Sequence, residues 1–305
     1  MTTTRRSHDS LTWIDLENPS REEVAGIAEE FALDAVVAEE ILSPARKPRI
    51  ELFDDYFFLI LHFPALRHSH STTTLQEIDF VVGKEFLITV RYDSVDAIDK
   101  FGRVFDVGVI LKHSPEGDHA GYLFYFLVQK LYHSLGHELE YIESALESIE
   151  GRIFDGGEHA MVRELSFYGR DLADIVKAIG YHEDVLASLE VAGEKLFGSG
   201  FRFYLHRVLG EYRRIRHQLG SAQHFFSELR ETNNSLLSTK QNEVMKTLTI
   251  MAFVTFPLTL IAALFGMNTV GTPILGHHAD FWIIIVVMLL LSLVMFSYFK
   301  YKRWL

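Results

Sequence analysis

The stretch that decides the fold is TLTIMAFVTFPLTLIAALF, residues 247–265, which contains no charged side chain. A second uncharged stretch, FWIIIVVMLLLSLVMFSYF, occupies residues 281–299 after a short polar loop. As helices rising about 1.5 Å per residue, each would be about 28 Å long, close to the thickness of a hydrocarbon core. Buried helices of a soluble protein are the alternative, but neither stretch has a charged face. The sequence therefore predicts a transmembrane hairpin.

The cations around these two spans predict their orientation. Lys240 and Lys246 precede the first span, and the tail of residues 300–305 is basic. The loop of residues 266–280 contains neither Lys nor Arg. By the positive-inside rule, we expect both chain ends in the cytosol and the loop outside an inner or plasma membrane.

The composition limits the function classes. The 305 residues include no cysteine, which excludes disulfides and thiolate metal sites. The formal net charge of −12 leaves no basic face for phosphates, so nucleic acid is not an expected partner. The first ten residues, MTTTRRSHDS, lack the apolar segment of a signal peptide, and we expect them to form a frayed cytosolic tail.

Residues 1–118 have the pattern of a mixed α/β domain. A helix is predicted behind the N-cap Ser20, a second over residues 34–42 and a third over residues 95–107. β-branched and aromatic residues predict strands over 12–16, 50–53, 56–63, 77–82 and 85–91. Short turns between paired strands imply a sheet that is at least partly antiparallel, and hence an α+β cytosolic domain.

Beyond this domain the pattern is helical. Residues 122–154 and 161–196 predict two long helices separated by Gly156-Gly157, so we expect residues 119–200 to form an antiparallel helix pair in the cytosol. A helical stalk over residues 201–246 is expected to continue into the first span. Its apolar residues recur in alternating steps of three and four, which is a heptad seam. The seam favours packing against further copies of the chain over packing on the same chain.

The seam continues along one face of the first span. The residues of this face are Asn242, Met245, Leu248, Ala252, Phe256, Thr259 and Ala263. Around a symmetry axis, the oxygens of Asn242 and Thr259 would form rings that assist a hydrated ion, and the apolar residues between them would form constrictions. Facing lipid, neither polar residue demands a pore. Because one hairpin cannot enclose a channel, a pore requires an oligomer.

The first span ends in Gly266-Met267-Asn268, which alone would be an ordinary helix cap. In its context, QNEVMKTLTIMAFVTFPLTLIAALFGMN with a second span and the ending FKYKRWL, the triplet resembles the signature of the CorA family of divalent-cation channels. Three earlier segments are similar to the family in the same order: WIDL, RKPRIELFDDYFFLILHF and IDFVVGKEFLITV. The resemblance therefore spans nearly the whole chain.

This resemblance implies a funnel-shaped homopentamer in the bilayer, with the first span lining the pore and the second outside it. Gly266, Met267 and Asn268 would form the selectivity filter for hydrated Mg²⁺, with Co²⁺ and Ni²⁺ as secondary ions. Asn268 would contact the hydrated ion, and Asn242 and Thr259 would do so along the pore. The membrane potential would drive entry into the cytosol. The resemblance implies no catalytic residue and no cofactor besides the transported ion.

The sequence departs from the family pattern in two places. The outer loop lacks the glutamate that usually follows the triplet, whereas His277, His278 and Asp280 would offer ligands to a softer ion such as Zn²⁺, or be plain polar surface. The zinc-transporting ZntB branch, which shares this architecture, is therefore an alternative. On the stalk, His206 and Arg207 stand where magnesium-gated members place a carboxylate, so the sequence does not predict gating by cytosolic Mg²⁺.

Two other function classes stay open at this point. A tethered enzyme would need a convergent site, and His133 and His137 share a helical face without a third ligand in view. A membrane-anchored scaffold or receptor would need only the stalk and the cytosolic domain, but it would leave the polar residues of the first span unexplained. We retain the channel as the main hypothesis.

Overall fold

The computed structural model describes residues 2–8, 10–45, 47–65, 75–105, 119–267 and 279–302. Contacts divide the chain into two units, Met1–Arg230 and Glu231–Leu305. The first unit contains a six-stranded sheet and helices, and the second contains two apolar helical segments. The α+β class and the two C-terminal apolar helices predicted from the sequence are confirmed.

The sheet of the first unit is mixed. Its strands lie in the order β1-β2-β6-β5-β4-β3. β2 and β6 are parallel, and every other neighbouring pair is antiparallel. The strands are β1 (Thr2–His8), β2 (Leu11–Glu17), β3 (Arg49–Leu52), β4 (Tyr56–Pro64), β5 (Leu75–Gly83) and β6 (Phe86–Arg91).

The first strand corrects the sequence prediction. The expected frayed tail is wrong, because Thr2–His8 pairs with β2 in an antiparallel ladder running from Thr2 opposite Glu17 to His8 opposite Leu11. The Arg5 guanidinium donates two hydrogen bonds to the Glu30 carboxylate, at 2.7 and 3.0 Å. Polar and charged residues are typical of edge strands. They are equally typical of disordered tails, so the composition of Thr2–His8 did not distinguish the two.

Helices cover both faces of the sheet. On one face, α1 (Arg21–Glu30) and α2 (Ala35–Glu40) contribute Val24, Ile27 and Val37 to a core that includes Phe58. α1 begins at Ser20 with a reciprocal capping box to Glu23, as the N-cap prediction requires. Side chains alternate along a strand, so Phe57 points to the other face. There its ring meets Phe124 of the long helix α4 (Ala120–Arg152) at 5.4 Å between centroids.

The sheet also buries an ion pair. The Arg91 guanidinium on β6 donates to Asp15 Oδ2 on the parallel neighbour β2, at 3.0 Å, and both side chains are less than a tenth exposed. Its Nη2 atom also donates to Asp99 at 2.8 Å. Burial raises the pKa of Asp15, and the adjacent Arg91 charge opposes that rise. The pair therefore ties the two parallel strands together electrostatically.

The helical part of the first unit differs from the predicted helix pair. Its helices are α3 (Asp96–Phe105), α4 (Ala120–Arg152), α5 (Glu158–Ile179) and α6 (His182–Phe197). A π-helical turn, Ile153–Gly157, joins α4 to α5, and Gly156 adopts a φ of 91° there. The break predicted at Gly156-Gly157 is confirmed.

The prediction of a single helix over residues 161–196 is wrong, because α5 ends at Ile179 and a separate helix, α6, begins at His182. Residues 119–200 therefore hold three helices rather than two. The His182 ring at the start of α6 is fully buried, and its Nδ1 lies 2.7 Å from the Tyr132 hydroxyl on α4. Gly180 has low helix propensity, and the buried His182–Tyr132 contact fixes where the next helix begins.

One helix, α7 (Ser199–Phe265), covers the predicted stalk and the predicted first span without interruption. Pro257 lies inside it and has no N–H, so the Phe253 carbonyl lacks its usual partner four residues on. α8 (Asp280–Tyr301) covers the second predicted span. Both helices are long and apolar enough to cross a membrane. In the most apolar 18 residues of each, only 11% and 0% of the residues are buried, whereas the core helix of a soluble protein is mostly buried.

Candidate functional site on the membrane helix

The residues predicted to line a pore lie on one side of α7. A helix turns about 100° per residue, so the steps from Asn242 to Ala263 keep these side chains within a single face. Six of the seven are exposed, and Ala252 is half-buried. Phe256 and Met245 are 71% and 61% exposed. In the described chain this face is therefore left uncovered.

The opposite side of α7 packs against α8. Ile250 and Val254 form a buried cluster with Phe299 of α8, and Leu258 and Met295 pack against it. The α7 members of this cluster are spaced four residues apart and point roughly 180° away from the predicted pore face. The sequence analysis did not identify this stripe, because in an all-apolar span it carries no polarity contrast. The α7–α8 contact thus leaves the pore face free for another partner.

Thr259 is oriented as a hydrogen-bond acceptor on the uncovered face. Its hydroxyl donates to the Thr255 carbonyl of the preceding turn at 2.8 Å. A threonine hydroxyl has one hydrogen, so only the lone pairs of this oxygen remain available. The waters around a hydrated cation point their hydrogens outward. Thr259 therefore has the hydrogen-bonding character that such an ion requires.

The end of α7 begins the predicted filter triplet. The Gly266 N–H donates to the Ala262 carbonyl at 2.9 Å, and a Cβ at Gly266 would lie only 3.0 Å from that oxygen. Glycine therefore suits this close backbone approach. Met267 is half exposed. Asn268 lies outside the described residues, so its contact with the ion stays a prediction.

Of the three predicted outer-mouth ligands, the structure describes only Asp280. His277 and His278 lie outside the described residues. Asp280 opens α8, where its Oδ1 accepts a hydrogen bond from the Phe281 N–H at 2.7 Å. A carboxylate at a helix N-terminus is stabilised by the exposed backbone N–H groups, so this contact explains the position of Asp280 without a metal ion.

His206, the stalk residue noted in the sequence, lies near a carboxylate of α6. His206 Nδ1 lies 3.6 Å from Glu190 Oε2, and the Arg202 Nε atom donates to the same carboxylate at 2.9 Å. The hydrogen bond from Arg202 lowers the pKa of Glu190. The Arg207 guanidinium lies over the Phe203 ring, 5.9 Å from its centroid. Among the described residues, no three His, Asp or Glu side chains are arranged to hold a metal ion.

Comparison with known proteins agrees with this architecture. Residues 8–303 match the family model described as "CorA-like Mg2+ transporter protein". The "Cobalt/magnesium transport protein CorA" of Thermotoga maritima is 27% identical, over 98% of this chain and 85% of that protein. The alignment thus includes the sheet, the stalk and both membrane helices.

Two solved structures share the fold. The CorA magnesium transporter of Methanocaldococcus jannaschii superposes with a TM-score of 0.82 and 19% identity, covering 98% of this chain and 93% of that one. The ZntB cytoplasmic domain from Vibrio parahaemolyticus gives a TM-score of 0.55 and 17% identity, covering 74% of this chain and 88% of that domain. At such identities the likeness concerns the fold alone.

Proposed function

Because the chain belongs to the family of CorA-like Mg²⁺ transporters, we propose that it forms a channel carrying hydrated Mg²⁺ across a membrane into the cytosol. The family consists of ion transporters and not of enzymes, so the tethered-enzyme hypothesis is set aside. The observation that carries the proposal is the uncovered face of α7, where Asn242 and Thr259, with their acceptor oxygens, lie on either side of a run of large apolar side chains. A scaffold or receptor would have no use for acceptor oxygens on this apolar face.

The channel is a homopentamer in which α7 of each copy faces the axis and α8 packs outside it. The position of the Ile250, Val254 and Phe299 cluster supports this assignment, since α8 covers the side of α7 opposite the pore face. In the assembly, Phe256, Leu248 and Met245 form apolar constrictions. Asn242 and Thr259 form rings of polar oxygen at the two ends of this apolar stretch.

The filter is the loop that carries Gly266, Met267 and Asn268. Mg²⁺ dehydrates reluctantly, and a ring of neutral amide oxygens holds its water shell without trapping the ion as carboxylates would. Co²⁺ and Ni²⁺ share the octahedral hydrated form and are secondary ions. The Thermotoga maritima relative is a cobalt/magnesium transport protein, which supports Mg²⁺ and Co²⁺.

The cytosolic part comprises the α+β domain of residues 1–118, the helices of residues 119–200, the stalk of residues 201–246 and the basic tail of residues 300–305. Residues 247–265 and 281–299 cross the bilayer, and residues 266–280 form the outer loop. The lysines on the cytosolic flanks support this orientation. An inside-negative potential drives entry, contributing roughly 4–5 kcal/mol for a double charge across about 100 mV.

Flux into proteoliposomes tests the proposal. Purified protein is reconstituted with an Mg²⁺-sensitive dye inside, a potential is imposed, and liposomes without protein give the background. We expect Mg²⁺ entry that depends on the potential and is lost in Asn268→Ala. Asn268→Asp should bind Mg²⁺ more tightly but pass it more slowly, because a carboxylate ring holds a dication longer. Absence of Mg²⁺ flux in the unaltered protein would overturn the proposal.

The same assay with a Zn²⁺ dye tests the alternative. His277, His278 and Asp280 at the outer mouth would favour a softer ion, as in the ZntB branch. Zn²⁺ entry without Mg²⁺ entry, driven by a proton gradient rather than by the potential, would assign the chain to zinc transport. Replacing both loop histidines with alanine should then abolish Zn²⁺ flux, whereas it should leave Mg²⁺ flux through an Mg²⁺ channel intact.

A further inference from the structure

His133 and His137 lie one turn apart on the exposed face of α4 in the first unit, and their Nε2 atoms are 3.0 Å apart. His137 Nδ1 lies 3.1 Å from Glu140 Oε2. We propose that these two histidines form a cytosolic binding site for one transition-metal ion of the Zn²⁺, Co²⁺ or Ni²⁺ class, held between the two Nε2 atoms and completed by water. The site lies well apart in sequence from the pore residues and is independent of them.

The nitrogen separation fits a shared ion. Two imidazole nitrogens bound at about 2.0–2.1 Å to one tetrahedral ion are about 3.3–3.4 Å apart. The present separation of 3.0 Å requires only a small outward rotation of two exposed rings. Without metal, one Nε2–H donates to the other Nε2. On binding, the donating ring changes tautomer: its Nε2 proton passes to solvent and its Nδ1 takes up a proton from solvent, so the ring stays neutral and both Nε2 lone pairs face the metal ion.

Glu140 prepares His137 for this role. By accepting a hydrogen bond from the Nδ1–H of His137, its carboxylate favours the tautomer whose Nε2 lone pair is available for a metal ion. Histidine ligands in metal sites commonly donate their other ring N–H to a carboxylate in this way. Glu140 is therefore a positioning residue and not a ligand.

The ligand set fixes the class of ion. Imidazole nitrogens suit Zn²⁺, Co²⁺ and Ni²⁺, whereas Mg²⁺ prefers oxygen ligands and its own water shell. With two protein ligands the site is weak. Lys130 and Arg214, which with His133 and Glu211 line one cavity of about 460 Å³, weaken it further by repelling cations. The site therefore fills only when softer cations are in excess, which is the condition that a transporter of mixed selectivity would create.

Binding is tested on the full-length protein in detergent with Co²⁺ as the probe. The visible d–d absorption of nitrogen-bound Co²⁺ and equilibrium dialysis give the coordination and the stoichiometry. His133→Ala and His137→Ala should each lose one Co²⁺ per chain. The matched control is His224→Ala, which removes an exposed helical histidine whose i+4 neighbour is Glu228 rather than a second histidine. This control should keep the full stoichiometry.

Two further variants separate the roles. Glu140→Gln should keep the stoichiometry and weaken Co²⁺ binding by about 10- to 100-fold, as expected for a residue that orients a ligand. Asn268→Ala should keep this Co²⁺ even if it stops transport, so the result does not depend on the proposed channel. The same Co²⁺ stoichiometry and spectrum in His133→Ala, His137→Ala and the unaltered protein would overturn the site, as would full competition by Mg²⁺.

Discussion

Val254 and Phe256 lie only two residues apart on α7, yet they point to nearly opposite sides of it. Val254 is 7% exposed and packs in the cluster with Phe299 of α8, whereas Phe256 is 71% exposed. Two helical residues turn the direction by about 200°, which accounts for the difference. One side chain therefore holds the hairpin together, and the other lies on the face that we propose lines the pore.

Truncating these two side chains should separate stability from conduction. Phe256→Ala should raise Mg²⁺ flux several-fold with little change in thermal stability, because it widens an apolar constriction without opening a cavity in the hairpin. Val254→Ala should lower the thermal stability of the detergent-solubilised protein and change flux less, since it removes packed methyl groups. Equal effects of the two variants on flux would contradict the assignment of faces.

Removing the Thr259 hydroxyl should slow conduction. Thr259→Val keeps the side-chain shape but deletes the acceptor oxygen on the uncovered face, so Mg²⁺ flux should fall by about an order of magnitude while the helix persists. The control is Thr247→Val. The Thr247 hydroxyl also donates to the carbonyl four residues back, at 3.0 Å, but it points to the other side of α7. A similar loss of flux in both variants would mean that backbone hydrogen bonding, not the pore face, is responsible.

Breaking the buried ion pair between β2 and β6 should destabilise the first unit. Arg91→Gln leaves the Asp15 carboxylate buried without a cation, a change that typically costs about 3–5 kcal/mol of unfolding free energy. The measurement is urea unfolding of the full chain in detergent at pH 7. Arg21→Gln, which removes an exposed ion pair with Glu39, should cost less than about 1 kcal/mol.

The Arg91→Gln defect should also depend on pH. Burial already raises the pKa of Asp15, and loss of the neighbouring cation would raise it further. Protonation then relieves the buried charge, so the difference in stability from the unaltered protein should shrink as the pH falls from 7 toward 5. A difference that grows on acidification would show that Asp15 does not carry the effect.

His182 should make the first unit less stable in acid. Burial lowers the pKa of this histidine to about 3; the charge of the nearby His62 acts in the same direction, and a hydrogen bond with the His62 backbone opposes the shift. Between that value and about 6.5, the usual pKa of histidine, the unfolded chain binds a proton that the folded chain excludes, so stability falls as the pH falls. The groups facing His182 also include Tyr132, Tyr212 and Phe63.

The variant that tests this is His182→Gln, which can still accept a hydrogen bond from Tyr132. The slope of unfolding free energy against pH between 6.5 and 4 should decrease by up to about 1.4 kcal/mol per pH unit, the value for one proton. His224→Gln, an exposed replacement, should leave the slope unchanged. An unchanged slope in His182→Gln would show that the buried imidazole is not the acid-sensitive group.

The sequence predicted those elements whose signals are local. The uncharged length of the two membrane segments, the N-cap at Ser20 and the break at Gly156-Gly157 were sufficient to place α8, α1 and the end of α4. The seven residues of the predicted pore face were grouped from their spacing, and they do lie on one side of α7. That they line a pore stays a prediction.

The remaining features depend on partners distant in sequence. β1 forms because it pairs with the edge of β2. The residues of Thr2–His8 carry no local signal that predicts this pairing. The separation of α5 from α6 depends on Tyr132, fifty residues away on α4, which receives the buried His182. The His133–His137 contact was visible as a spacing, but the nitrogen separation and the placement of Glu140 required coordinates.

Pro257 has a mechanical consequence for α7. The Phe253 carbonyl has no N–H opposite it, so the backbone ladder of this helix lacks one rung in the turn that also carries Phe256. A rod with one weakened section bends there first, and kinks in helices concentrate at proline for this reason. A sideways force on the part of α7 that follows Pro257 would therefore bend the helix at this one turn. Val254 and Phe256 both lie in this turn, so bending there would displace the Phe256 ring and load the packing of Val254 against Phe299 of α8.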